Sequence, residues 1–245
     1  MNNGKRIAAI ILAAGKGTRM ESDLPKCFHN LKGKPLLEHV YAAVKAAGID
    51  LVYIVVGHQK EKIENYFKRF PVSFVEQNEQ LGTGHAVLQA QTALKDFDGT
   101  ILVLAGDMPL ITAKTIKALV DFHVGKKAKA TDLTAKLADP ARYGRVVRDN
   151  EGRIVKIVEA KDATPDELKI NEINTGVFAF DGKGLFETLK EIRSENKQKE
   201  YYLTDVIEIL EKKHQPVFAF LAEDPDEAMG VNTKPELAEL ERKLS

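Results

Sequence analysis

The 245-residue chain contains one cysteine, no long apolar run and no excess of either charge. A single cysteine, Cys27, closes no intrachain disulfide, so nothing in the sequence supports an oxidising compartment. No apolar stretch approaches the length that a bilayer-spanning helix needs. The N-terminus carries only Lys5 and Arg6 before a short apolar run that passes directly into a glycine loop, with no signal-peptide cleavage pattern. These lacks predict a soluble, cytoplasmic protein without a membrane partner. Lys+Arg and Asp+Glu balance at 36 each, which argues against a nucleic-acid binder working through a basic field, so any anion site must be local. What is present, 44% hydrophobic and 29% charged residues over this length, suits one large α/β domain or two small ones with a substantial core. No internal repeat and no Ser/Gly/Pro-rich linker divides it.

The most informative stretch runs from Ile7 to Lys26, IAAIILAAGKGTRMESDLPK. An unbroken apolar run ended by glycine predicts a strand buried on both faces of a parallel sheet, with a loop leaving its carboxyl end, where ligands of open α/β sheets bind. Gly15 and Gly17 allow close approach of the backbone to a ligand, and Lys16, Arg19 and Lys26 supply the charge a polyphosphate needs. The loop matches neither the Walker pattern nor the dinucleotide fingerprint. A tight strand exit with incidental surface cations is the alternative.

Further along, helical spacing over Pro35 to Gly48 precedes a buried strand at Leu51 to Val56, an amphipathic helix at Gln59 to Phe70 and a strand at Val72 to Gln77. This alternation predicts βαβ units. Gly82-Thr83-Gly84 opens a helical pattern reaching Leu94, where a base or phosphate can be read by backbone N–H groups; His85 there reads as a packed or surface histidine. The strand from Thr100 ends at Gly106 and Asp107. A carboxylate at such a strand end is placed to hold Mg²⁺, which takes most of its ligands from phosphates and water, although an Asp opening a turn or capping the helix at Thr112 to Phe122 gives the same pattern. From Thr131 on, strands at Thr131, Tyr143 to Val147, Gly152 to Glu159 and Ile170 to Phe180, with a hairpin turn at Asp149 to Gly152, read as an α+β elaboration of the same sheet. Helices at Gly184 to Ile192 and Leu203 to Lys213, a strand at Pro216 to Leu221 and a last helix follow. Asn232 or Thr233 reads as the N-cap of that helix, and spacing alone does not bring Asn232 beside Asp107.

The motifs LAAGKGTRM, LPK, LGTGHA, GD-x-P, YGR, VE-x-KDAT, EINTG, EYYLTD and GVN, in that order, closely resemble the uridylyltransferase domain of the bacterial bifunctional N-acetylglucosamine-1-phosphate uridyltransferase/glucosamine-1-phosphate acetyltransferase family, a sugar-phosphate nucleotidyltransferase. The resemblance covers the chain to Asn232. It implies an α/β fold of the nucleotide-diphospho-sugar transferase type: a Rossmann-like, mostly parallel mixed sheet with helices on both faces. One nucleotidyltransferase domain, 1–245, would comprise a nucleotide-binding half at about 1–130, a sugar-binding half at about 131–232 and a C-terminal helix at 233–245. It also implies site residues. Leu12, Ala13, Ala14 and Gly15 match the nucleotide loop, Gln77, Gly82 and Thr83 the uracil contacts, and Gly144, Glu159 and Asn174 the N-acetylglucosamine contacts. Arg19 and Lys26 match the catalytic cations, and Asp107 and Asn232 the Mg²⁺ pair.

The implied reaction joins UTP and N-acetylglucosamine-1-phosphate, as precursor synthesis for peptidoglycan requires, by in-line attack on the α-phosphorus; such a step needs positioning and charge neutralisation. Three departures stand out: Ala105 where a well-known family member carries Tyr, Lys199 where Gly is usual, and an end at Ser245 without the hexapeptide-repeat β-helix of acetyl transfer and trimerisation. Acetyltransferase activity is therefore not expected, and the oligomeric state is open. A sibling transferase for another sugar phosphate or nucleotide, and a non-catalytic nucleotide-sugar sensor, are the alternative readings.

Overall fold

Strand β1 (Arg6–Leu12) lies inside the sheet, and its surroundings explain its unbroken apolar run. Ala9 and Ile11 join the core on one face with Val40, Phe67 and Leu119, whereas Ala8 and Ile10 face the opposite core with Val87, Leu94 and Phe186. A strand covered by helices on both sides has no solvent face to alternate with. The computed structural model describes residues 6–244; the reading at Lys5 and the chain end at Ser245 lie outside them.

A small hairpin of β2 (Asn30–Leu31) and β3 (Lys34–Pro35) leads into α1 (Leu36–Ala46). Then come β4 (Leu51–Val56), α2 (Lys60–Phe67), β5 (Ser73–Glu76), α3 (Thr83–Leu88), α4 (Gln91–Leu94) and β6 (Gly99–Ala105). Pairing is parallel from β6 through β1 and β4 to β5, as the alternation predicts. The helical pattern after Gly82 splits in two. Gln89 turns its side-chain amide onto the His85 carbonyl at 3.0 Å while its backbone N–H goes to Ala86, which removes the acceptor that a continuing α-helix would use.

The chain continues with α5 (Ala113–Gly125), β7 (Ala130–Lys136), β8 (Arg145–Arg148), β9 (Ile154–Val158), β10 (Glu172–Asp181), α6 (Gly182–Leu189), α7 (Asp205–Lys212), β11 (Val217–Leu221) and α8 (Lys234–Lys243). Here the sheet becomes mixed: β10 runs antiparallel between β6 and β7, β8 pairs with β10 and β9, and β11 closes the edge parallel to β7. The order β11-β7-β10-β6-β1-β4-β5, with β8 and β9 attached to β10, makes one nine-stranded mixed sheet. The register of β10 breaks between Asn174 and Val177. Gly176 sits there at φ +83, donating its N–H to Asn174 Oδ1 at 2.8 Å, while the Thr175 hydroxyl bonds the Leu133 carbonyl at 2.7 Å. Asn-Thr-Gly thus forms a bulge that fixes the direction of Asn174.

One core residue breaks the apolar rule. Asp132 on β7 is 0% exposed, and neither carboxyl oxygen meets a hydrogen-bonding partner among the described residues. Nearby, Arg148 forks onto Glu172 at 2.8 and 2.6 Å and Thr134 donates to the same carboxylate at 2.8 Å, leaving Asp132 beside a pair that is already satisfied. Burial, and then the Glu172 charge, hold Asp132 protonated well above the ordinary carboxylate range. A raised folded-state value means that stability falls as pH climbs above the unfolded value of about 3.9. Asp132→Val is accordingly expected to raise unfolding stability at pH 8 by about 1–3 kcal/mol, with a smaller gain at pH 4, where the unfolded chain no longer gains from ionising this carboxyl. Urea titrations at the two pH values check this, and an unchanged midpoint at pH 8 counts against it.

Candidate active site

Because β1, β4, β5 and β6 are parallel, their carboxyl ends share one edge of the sheet. The chain fills positions on the β4–β5 side of β1 before crossing back to β6, so the order reverses at β1 and opens a crevice between the loops that leave β1 and β6. The cleft there encloses about 740 Å³. Its lining draws Leu12, Ala13, Ala14, Gly15, Lys16, Gly17, Arg19 and Lys26 from the first loop, Gln77, Gly82 and Thr83 from the β5–α3 segment, and Ala105 and Asp107 from the end of β6.

The glycines of the loop do different work. Gly17 has φ +63, and a Cβ on it would lie 2.4 Å from Cβ of Lys26, so its missing side chain is what lets Lys26 come in. A Cβ on Gly15 would meet nothing within 4 Å; that side of the loop opens into the cleft.

Lys26 is the hub. Its ammonium pairs with Asp107 and donates to Asn232 Oδ1 at 2.6 Å. Asn232 reaches this place because Val231 donates its N–H to the Asp107 carbonyl at 2.9 Å, and because Thr233, not Asn232, caps α8 by accepting from Glu236 N. Glu236 in return accepts the Asn232 N–H at 2.6 Å, and Asn232 Nδ2 donates to the Gly230 carbonyl at 2.9 Å, which turns Oδ1 toward Lys26. Asp107 is likewise no helix cap: Thr112 caps α5 by accepting from Thr115 N. Neither Asp107 nor Asn232 is therefore a helix cap, although Asp107 does lie in the turn that follows β6. Beneath them, burial and then the Asp107 charge push the Cys27 thiol up to about 12, so this cysteine lines the cleft as a neutral group.

On the other wall, Gln77 is 3% exposed, and its Nε2 lies 3.2 Å from the Gly82 carbonyl and 3.0 Å from His85 Nδ1. His85 orients Gln77 as a packed histidine. Gly82 holds φ +114, and a Cβ there would come within 2.7 Å of the Tyr201 backbone, which pairs with this loop through Tyr201 N to Leu81 O and Gly84 N to Tyr201 O, each 2.8 Å. The Thr83 hydroxyl accepts from Leu203 N at 3.0 Å. The loop is therefore shaped by the segment before α7, as with Thr83 and Leu203, which are 120 residues apart, and that segment carries Glu200 into the lining.

Gly144, Glu159 and Asn174 gather separately from that lining. Asn174 N donates to the Gly144 carbonyl at 2.9 Å, and a Cβ on Gly144 would lie 3.5 Å from Glu159 Oε1, so the glycine leaves room for the carboxyl. Burial first, and then the charges of Asp205, Asp162 and Glu200, raise Glu159 to about 7. Glu200 joins the two regions, lining the cleft and acting electrostatically on Glu159.

Residues 9–201 match the MobA-like NTP transferase domain. The chain belongs to that family. This NTP transferase domain is 51% identical over 233 residues to the protein named "Bifunctional protein GlmU" of Streptococcus pyogenes serotype M12 (strain MGAS2096), covering 95% of this chain and 56% of that one. It is equally 51% identical to the protein of the same name from Streptococcus uberis (strain ATCC BAA-854 / 0140J), covering 51% of it. The chain spans about half the length of these curated relatives. The crystal structure of UDP-glucose pyrophosphorylase complexed with UDP-glucose superposes with a TM-score of 0.77 over 98% of both chains at 19% identity, which shows the shared nucleotidyltransferase fold. The resemblance carried by the nine motifs is borne out. Among the described residues, no helix is long and apolar enough to cross a membrane.

Among the lining residues of this NTP transferase domain that the sequence does not single out as site residues are Gln80 and Glu200. Gln80 is set by a turn in which its amide donates to the Gln77 carbonyl at 3.1 Å, and Glu200 by the long-range pairing at Tyr201. Neither has a local signature beyond its motif. For the loop, Gly17→Ala is expected to destabilise by about 1–2 kcal/mol through its positive φ and the clash with Lys26, whereas Gly15→Ala stays within about 0.5 kcal/mol of the parent. Paired chemical denaturation curves check this; equal losses in both would refute the assignment of Gly17 to the approach of Lys26.

Proposed function

We propose that this NTP transferase transfers the uridylyl group of UTP to N-acetylglucosamine-1-phosphate, forming UDP-N-acetylglucosamine and pyrophosphate. The observation that carries the reading is Lys26 at the end of the cationic loop, held between Asp107 and Asn232 at the edge of the cleft. An ammonium seated against one carboxylate and one amide oxygen marks a cation site. Its donor set suits Mg²⁺, which accepts few protein ligands and completes its shell from water and phosphate oxygens. Asp107 and Asn232 would hold that ion, and when bound it neutralises phosphate charge and aligns the reacting groups.

In this reading the remaining residues bind, orient and neutralise. The backbone of Leu12, Ala13, Ala14 and Gly15 cradles the nucleotide, while Gln77, Gly82 and Thr83 read uracil; the depth at which Gln77 is held supports a fixed edge for the base. Gly144, Glu159 and Asn174 take the sugar, the half from about 131 to 232 presenting it to the half from about 1 to 130, with the helix at 233–245 behind Asn232. A phosphate oxygen of the sugar phosphate forms the new bond to the α-phosphorus, the bond from that phosphorus to the bridging oxygen breaks, and its electron pair leaves with pyrophosphate. The nucleophile is already anionic, so no side chain has to take a proton. Arg19 and Lys26 offset charge growing on the α-phosphoryl group and the leaving group.

Pyrophosphate release measured across nucleoside triphosphates and sugar phosphates tests the assignment. UTP with N-acetylglucosamine-1-phosphate is expected to lead. A lead by another pair would establish a sibling transferase, a reading that the small Ala105 wall keeps in view, and absence of turnover with every pair would make the chain a sensor. Arg19→Ala and Lys26→Ala are each expected to cut kcat by about 10²–10³; normal turnover in both would remove their catalytic role.

A pH profile tests Glu159. Sugar hydroxyls donate best to a carboxylate, and Glu159 loses its proton near 7. KM for the sugar phosphate is therefore expected to fall as pH rises through about 7, with KM for UTP as the internal control. Glu159→Gln should flatten that change; an unaltered profile in this variant would assign the titration to another group.

A further inference from the structure

Asp107 and Asn232 turn oxygens toward one place, and the structure puts a cation of its own there. The Asp107 carboxylate lies against the Gly230 backbone, since a Cβ on Gly230 would be 3.4 Å from Oδ1, and Asn232 Oδ1 completes the group. Every one of these oxygens is an acceptor. Left together without a cation they repel one another, and Lys26 supplies the missing charge through its pair with Asp107 and its 2.6 Å bond to Asn232.

We propose that Lys26 and the divalent cation are alternative occupants of the Asp107–Asn232 pair, so that arrival of the metal expels the ammonium toward the triphosphate. The proposal rests on the reading of Asp107 and Asn232 as metal ligands and adds a competition that this reading does not contain. An ammonium and a dication on the same two donors would stand within a few ångströms of each other, and like charges at that range cannot share so small a ligand set. One must leave, and the lysine is built to do so. Its backbone is anchored: Lys26 opens a short 3₁₀ turn after Pro25, closed by Phe28 N to Pro25 O at 2.8 Å, and packs against Gly17. Its four-carbon stem carries the charge on rotatable bonds and also lines the cleft, so a change of rotamer takes the ammonium from the acid pair to the phosphate side.

The donors, by contrast, are fixed. Asn232 is held at its backbone by Glu236 and at its amide by Gly230, and Asp107 is tied to Val231 through its carbonyl. The swing therefore links two events. A nucleotide without metal would draw Lys26 away and leave the Asp107 carboxylate bare beside a polyanion, whereas a metal–nucleotide complex fills the pair and receives the lysine together. The lysine thus disfavours unproductive binding of metal-free nucleotide.

Manganese binding without any nucleotide, followed by electron paramagnetic resonance, tests this on the full chain. Lys26→Met and Lys26→Gln, the second keeping a hydrogen-bonding group without the charge, are expected to bind Mn²⁺ about tenfold more tightly than the parent. Lys26→Arg, still cationic, should not show that gain. Asp107→Asn should abolish the binding in the parent and in both neutral variants. A metal-free thermal melt supplies a second readout: the neutral variants melt below the parent, and Mn²⁺ restores them by more than it raises the parent. Equal Mn²⁺ affinity in parent and neutral variants, lost with Asp107→Asn, would overturn the competition while leaving the metal site standing. Mn²⁺ binding indifferent to Asp107→Asn would overturn the metal-site reading and the competition with it.

Discussion

The ion pair between Lys26 and Asp107, extended to Asn232, ties together three parts of the chain that share no local sequence relationship. Lys26 comes from the loop after β1, Asp107 from the end of β6 and Asn232 from the turn before α8. Each is delivered by ordinary structural means: a glycine that makes room, a parallel strand that ends at the right edge, a threonine that caps a helix so that the neighbouring asparagine does not have to. The cleft depends on this junction because it fixes where the loop after β1 meets the rest of the sheet.

Charge is distributed unevenly around that junction although the chain is neutral overall. Lys16, Arg19 and Lys26 line one side of the cleft, while in the other half burial, and then the charges of Asp205, Asp162 and Glu200, raise Glu159 to about 7. A protein neutral overall can therefore gather cations on one loop and carboxylates in another region of one molecule. The two are coupled through Glu200, whose segment also shapes the Gly82 loop. Asp132 belongs to the same half but serves neither pocket: it is a buried acid kept neutral by its surroundings.

Much of the fold was legible because its signals are local. The apolar run at Ile7, the strand at Leu51 to Val56 and the hairpin turn at Asp149 to Gly152 all appear where periodicity and turn chemistry put them. The helical pattern up to Leu94 was misread as continuous because a single side chain, Gln89, captures a carbonyl that helix periodicity treats as available. The antiparallel insertion of β10 between β6 and β7 was not readable either, since strand order is a matter of which partners meet after collapse.

By itself the sequence determined the chemistry on offer: a glycine loop with three cations, an Asp at a strand end, and an ordered set of motifs that point to a nucleotidyltransferase. Only the tertiary structure decided whether those groups meet. It freed Asp107 and Asn232 from capping by giving that task to Thr112 and Thr233, and it showed Gly82 to be required by the Tyr201 backbone. The loop after β1 thereby meets Asp107 and Asn232 through Lys26. Residue type and short spacing are written locally, but hydrogen-bond competition and the approach of segments more than a hundred residues apart exist only once the core has packed.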